Sequence, residues 1–301
     1  MNTKHLSRRQ FLERAAAAAG ALLLPPCGSI AVSAAKRTAA DQVTLGQTGL
    51  KLSRLGFGTG TFSGHVQHSL GHEGFNRLIR YAYDQGVTSF DCSQDYQTFG
   101  WLGGAVKGLP REKIFLQSKI GGRPKNILEV IDRHRKVFDT DYVDSMLIHC
   151  MVRGGWTEDW KRIMDAFDEA KDRQWIRAKG VSCHSLPALR TATESPWTEV
   201  HLVRVNPQCK HIDGMEQAWN RSGDDIGPVL AEMKKMRAKN RGVIGMKILG
   251  EGELRAAGER EKSIRFAMCH PEINAIIIGF KSAAEIDEAI QRVNRALAEP
   301  G

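Results

Sequence analysis

Three short apolar runs, spaced almost evenly along the chain, each end on a titratable side chain. Val87-Thr88-Ser89-Phe90-Asp91 stops at an acid, Ile114-Phe115-Leu116-Gln117-Ser118-Lys119 at a base, and Val143-Asp144-Ser145-Met146-Leu147-Ile148-His149 at an imidazole. β-Branched and apolar residues dominate each run, and turn residues and a helical pattern follow it. The steps from Asp91 to Lys119 and from Lys119 to His149 are 28 and 30 residues, the length of one strand-plus-helix unit. Successive units of this kind bring their strand ends to one side of a parallel sheet, the side on which α/β folds carry their chemistry. Tyr96 falls five residues past Asp91, in the loop above that side.

The same alternation extends along the chain. Residues 44–52 read as a hairpin turning at Gln47-Thr48-Gly49. Strands are predicted over 55–61, 87–91, 114–119, 143–149, 176–181, 200–205, 242–248 and 273–279. Helices are predicted over 73–85, 98–107, 125–138, 157–173, 185–193, 225–239, 258–269 and 282–297, the last with Ser282 as N-cap and Glu285 completing a capping box. Eight βα units that close on themselves form a (β/α)8 barrel, here preceded by a short β-hairpin. An open doubly wound sheet is the competing arrangement. Gly56-x-Gly58-x-Gly60 does not support it, because the third glycine is misplaced for a dinucleotide loop and no helix starts there.

Residues 1–40 are set aside from the barrel assigned to 41–301. Ser7-Arg8-Arg9-Gln10-Phe11-Leu12 precedes an Ala-rich apolar run from Ala15 to Leu24, the order of a twin-arginine export signal. Cleavage is expected near Ser33-Ala34-Ala35, and lipid attachment at Cys27 is the lesser alternative. The expectation is therefore a periplasmic protein whose partners include the twin-arginine machinery. No run of 18 apolar residues exists, so no stable membrane span is expected. The net charge of +9 divides into +5 for residues 1–40 and +4 for the rest, which gives no case for a nucleic-acid partner. Five cysteines remain beyond the leader, with no CxxC pair, so neither a disulfide scaffold nor a metal finger is indicated. Cys92, Cys150 and Cys183 each follow a strand-end residue and are expected to crowd one rim. Buried fillers are the ordinary reading of such thiols; a redox-sensitive or metal-sensitive rim with His184 is the sharper one.

The strand-end residues suit carbonyl reduction. A phenol with a pKa of about 10 is a poor donor at neutral pH. An adjacent ammonium lowers that pKa, and a carboxylate beyond the ammonium holds it in place. An imidazole can then hydrogen-bond the carbonyl oxygen that receives the proton. A metal-dependent hydrolase built on Asp91 and His149 is a weaker alternative, because Lys119 beside them opposes a cation.

These residues, in this order, resemble the aldo-keto reductase family. The resemblance covers roughly residues 43–297. It includes Leu55-Gly56-Phe57-Gly58-Thr59-Gly60-Thr61, Phe90-Asp91-x4-Tyr96, Gln117-Ser118-Lys119, Val143-Asp144-x4-His149, Gly180-Val181-Ser182, Arg204-Val205-Asn206, Gly242 through Lys247, and Ile277-Ile278-Gly279-Phe280-Lys281-Ser282. The resemblance implies a barrel that takes hydride from NADPH, or alternatively NADH, to a small aldehyde or ketone. Asp91, Tyr96, Lys119 and His149 would be catalytic, with Tyr96 as proton donor. It implies cofactor contacts at Thr59, Gly60, Ser182, Asn206, Lys247, Lys281, Ser282 and Glu285, with Ser182 on the carboxamide and Lys281 and Ser282 on the adenosine phosphate. Cys183 stands where the family commonly has Asn, and Val205 where an aromatic is expected to stack. These departures motivate a second reading, a member that binds cofactor without turnover.

Overall fold

The computed structural model describes residues 37–299; the expected export signal and Cys27 lie outside them. A hairpin comes first, with β1 (Gln42–Thr44) antiparallel to β2 (Lys51–Ser53). Eight parallel strands then close into a barrel: β3 (Leu55–Gly58), β4 (Ser89–Asp91), β5 (Phe115–Ile120), β6 (Val143–Met151), β7 (Ile176–Cys183), β8 (Val200–Arg204), β9 (Gly242–Met246) and β10 (Ala275–Ile278). Sequential strands are neighbours and β10 pairs with β3, which closes the ring. The fold is the (β/α)8 barrel with an N-terminal hairpin, not an open sheet.

Side chains alternate across each strand, so two cores form. Outward residues such as Leu116, Met146, Ile148, Val181, Val203 and Ile276 pack against the helices, meeting Ile79, Phe167, Met233 and Ile286. Inward residues Phe115, Leu147, Ala178, Val200, Leu202, Ile244 and Ala275 fill the barrel and join Leu45, Leu50 and Leu52 of the hairpin. Those three leucines plug the N-terminal end of the barrel, each stabilising it by about 1.5–3 kcal/mol on burial. The opposite end is left for chemistry. Continuing the alternation there, Lys119, His149, Ser182, Arg204 and Met246 share the inward face with Phe115, Leu147, Ala178, Leu202 and Ile244.

The unit that holds the barrel includes residues from Arg37 onward. Ala39 is buried, and its N–H donates to Asn294 Oδ1 at 2.7 Å, so residues 37–40 belong with the barrel. Strand β6 continues two residues past His149, with a register irregularity between Ile148 and Met151 and Cys150 at φ +57°. A bulge of this kind re-aims side chains next to sites. The helix expected over 157–173 is two helices, Trp156–Asp159 and Lys161–Asp172, divided at Trp160 with φ −107°. Trp156 is held by donating its indole N–H to Ala188 O at 3.1 Å.

Candidate active site

Lys119 is the hub of the barrel's open end. Only 1% exposed, it donates through Nζ to Asp91 Oδ2 at 2.7 Å, to Cys92 O at 2.7 Å and to the Tyr96 hydroxyl at 3.4 Å. Asp91, the last residue of β4, also accepts from Gln117 Nε2 at 2.9 Å. Both charges are buried, so each needs the other: an unpaired ion here would carry a large desolvation cost. The register that sets Asp91 opposite Gln117 on β5, two residues before Lys119, makes the contact unavoidable.

Tyr96 stands between two nitrogens. Its hydroxyl is 3.4 Å from Lys119 Nζ and 3.5 Å from His149 Nε2. The residue at position 60 must be glycine for the ring to lie where it does, since a Cβ there would come within 2.4 Å of Tyr96 Cζ. The expected acidification of this phenol is not found. Burial, and after it the Asp91 charge, hold the Tyr96 phenol well above its ordinary value. The reason is that Asp91 already neutralises Lys119, and a buried phenolate gains little from an ion pair as a whole.

His149 faces Tyr96 through Nε2 and two loop residues through Nδ1. Ser93 Oγ and Asp95 Oδ2 each lie 3.1 Å from Nδ1. Burial disfavours the imidazolium, but the bond to Asp95 and a contact with Cys150 leave its pKa above the ordinary value. Asp95 is correspondingly held below the usual carboxylate range by its bond to His149. Neither Ser93 nor Asp95 stood out in the sequence. They sit inside the four-residue gap between Asp91 and Tyr96, which reads as spacing until the loop is folded. The structure thus brings all four expected catalytic residues into one connected network.

The cofactor residues expected from the resemblance divide. A cleft of about 770 Å³ runs from Asp91 and Tyr96, past Gly60, Met246 and Lys247, to Lys281 and Glu285 at the start of the final helix, Ala283–Ala298. Ser182 is buried at the barrel mouth, and its Oγ has no hydrogen-bond partner. An orphaned buried hydroxyl is what a docking amide would satisfy. Thr59 is fully buried and spends its hydroxyl on Asp91 O at 3.0 Å, so it shapes the floor from behind. Asn206 is likewise committed: its amide donates to Lys210 O and Lys247 O and accepts from Lys210 N, closing the loop after β8. Ser282 caps the last helix, accepting from Glu285 N at 3.3 Å. The Glu285 carboxylate accepts from Lys281 N at 2.9 Å, one residue short of the expected capping box.

The expected rim cysteines separate as well. Cys92 and Cys183 are buried in the core between barrel and helices, where burial pushes the Cys92 thiol up to about 11. Cys150 alone is partly exposed, its Sγ 3.7 Å from His184 Nε2. Val205 also belongs to the outer core, away from the cleft.

A family profile described as "Aldo/keto reductase family" matches residues 54–296. An NAD/NADP-dependent indole-3-acetaldehyde reductase of Schizosaccharomyces pombe is 28% identical over 43% of this chain and 48% of its own length. A 7-acetyl-epi-neemfruitin B aldo-keto reductase of Melia azedarach is 26% identical over 67% of this chain and 62% of its own length. The chain therefore spans about half the length of such curated relatives. Among solved structures, an aldo/keto reductase from Klebsiella pneumoniae in complex with NADP and acetate superimposes with a TM-score of 0.62 at 17% identity, covering 85% of this chain and 89% of that one. The holo form of an aldo-keto reductase from Bacillus halodurans superimposes with a TM-score of 0.68 at 16% identity, covering 87% and 97%. At these identities the structural likeness speaks for the fold.

Proposed function

The chain belongs to the aldo/keto reductase family, and on that premise we propose that it reduces a small aldehyde or ketone with NADPH, using Tyr96 as the proton donor. The observation that carries this reading is the Tyr96 hydroxyl between Lys119 Nζ and His149 Nε2, at 3.4 and 3.5 Å. A phenol that stays protonated is ready to give its proton only when negative charge builds on a carbonyl oxygen beside it. Lys119 and His149 then stabilise the charge left behind. Asp91 keeps Lys119 fixed, and Gly60 leaves the ring its space.

The residues present fit a nicotinamide dinucleotide. When bound, that cofactor supplies the hydride. Ser182 would hold the carboxamide, and Lys247, Lys281 and the last helix start would meet the phosphates. NADP is favoured over NAD by Lys281 at the far end of the cleft. NADPH oxidation followed at 340 nm with a panel of small aldehydes tests the reading. Turnover by the parent and its loss in Tyr96→Phe, with NADPH fluorescence titrations unchanged, is expected; equal turnover in the two would refute it. The alternative, a member that binds cofactor without turnover, is motivated by Cys183 and Val205, which both pack outside the barrel; NADPH binding by a parent that oxidises it with no aldehyde of the panel would favour it.

Export by the twin-arginine route to the periplasm is proposed from Arg8-Arg9 and the Ala-rich run behind them. Such export carries folded cargo, so cofactor loading would precede it. Replacing Arg8 and Arg9 by Lys should leave the protein in the cytoplasmic fraction of a bacterial host; continued export would refute the assignment.

A further inference from the structure

The loop between Asp91 and Tyr96 does more than span the gap. Ser93 and Asp95 close around the far nitrogen of His149, while its near nitrogen faces the Tyr96 hydroxyl. We propose that Asp95 is a positioning residue that sets His149 up to return a proton to Tyr96 after each turnover. The proposal rests on the reductase reading above and extends it to the recharging of the acid.

The geometry fixes the roles. Asp95, as a carboxylate, can only accept, so Nδ1 of His149 carries a hydrogen and donates at 3.1 Å. Ser93 Oγ lies 3.1 Å from the same nitrogen, and also 3.5 Å from Asp95 Oδ2 and from Lys119 O, tying the loop to β5. With Nδ1–H anchored, the ring cannot turn, and Nε2 is aimed at Tyr96. A carboxylate on the outer nitrogen also favours a second proton on the ring. Position 121 must be small for this to happen: a Cβ there would come within 2.3 Å of Asp95 Oδ2.

The proton count balances. Tyr96 gives its hydroxyl proton to the alkoxide formed by hydride addition and is left a phenolate. Imidazolium His149 passes the Nε2 proton to that phenolate and becomes the neutral Nδ1–H tautomer. Water in the reopened cleft restores the proton on Nε2. Burial makes a lasting Tyr96 phenolate costly, so a donor at 3.5 Å is of use. The groups facing His149 are Asp95, Ser93 and Tyr96 from the loop, Lys119 from β5, Cys150 on its own strand and His184 after β7. Of these, Asp95 and Cys150 favour the imidazolium, and Lys119 opposes it.

The test compares the full-length parent, Asp95→Asn and Gly121→Ala. Gly121→Ala alters no titratable group but crowds the carboxylate away. Two readouts are taken: the alkaline limb of kcat against pH, and the His149 imidazole titration by NMR, assigned by its loss in His149→Gln. Both should move toward acid by about one pH unit in each variant, with KM unchanged. A fall in kcat with neither the limb nor the titration moved would mean that Asp95 is merely structural, and would overturn the proposal. A parent that reduces no carbonyl overturns the reductase reading itself. A parent that turns over with unmoved limbs removes Asp95 alone.

Discussion

The two ends of the cleft are built on opposite plans. At the barrel mouth, Asp91, Lys119 and His149 come from consecutive strands, and Lys119 Nζ is held by Asp91, Cys92 O and the Tyr96 hydroxyl. Away from the mouth the charges sit on loops and on the last two helices, and several cations are already met by a carboxylate. Lys247 pairs with Glu251 at 2.8 Å, Arg260 with Glu288 at 2.8 Å, and Lys281 approaches Glu285 at 3.8 Å. The first end is preorganised and expensive to disturb. The second is screened, with pairs each stabilising by about 0–1 kcal/mol, so an incoming phosphate can replace a carboxylate at little cost. Chemistry needs rigid placement, whereas cofactor entry and exit need exchangeable contacts.

Substitutions can break or sharpen that contrast. The largest effect should follow from Lys119→Met, which strands the Asp91 charge in the barrel. Unfolding in denaturant should show a loss of about 3–5 kcal/mol, and carbonyl reduction should vanish with it. A loss below 1 kcal/mol would show that the mouth is no more tightly built than the far end. Ser182→Ala comes next. It removes an orphaned hydroxyl, so thermal stability should hold while NADPH binds several-fold more weakly, about 1 kcal/mol for one neutral hydrogen bond. Unchanged NADPH affinity would take Ser182 out of the cofactor site. The smallest effect is expected from Glu285→Gln. With the competing carboxylate neutralised beside Lys281, NADPH should bind a few-fold more tightly, as judged by fluorescence titration, with thermal stability nearly unchanged. Weaker NADPH binding would mean that Glu285 helps hold the cofactor.

The same contrast separates what could be read in the sequence from what could not. The barrel was legible because eight apolar runs alternate with helical patterns, and Asp91, Lys119 and His149 were legible because they end such runs. Ser93 and Asp95 were not, since their role depends on a loop folding back over β5, and no periodicity records that. Thr59 and Asn206 were assigned to the cofactor by resemblance, but their side chains are consumed by backbone groups that only the folded chain brings near. The acidity of Tyr96 was misjudged for a related reason. The lysine and its carboxylate are visible in the sequence; the burial that disfavours the phenolate is not.

In the proposed reaction Tyr96 keeps its proton until a carbonyl arrives. NMR of ring-labelled tyrosine, with Tyr96 identified by its loss in Tyr96→Phe, reads that state directly. Tyr96 should remain a phenol through pH 10, the ordinary midpoint for tyrosine. A phenolate forming well below that pH would contradict it.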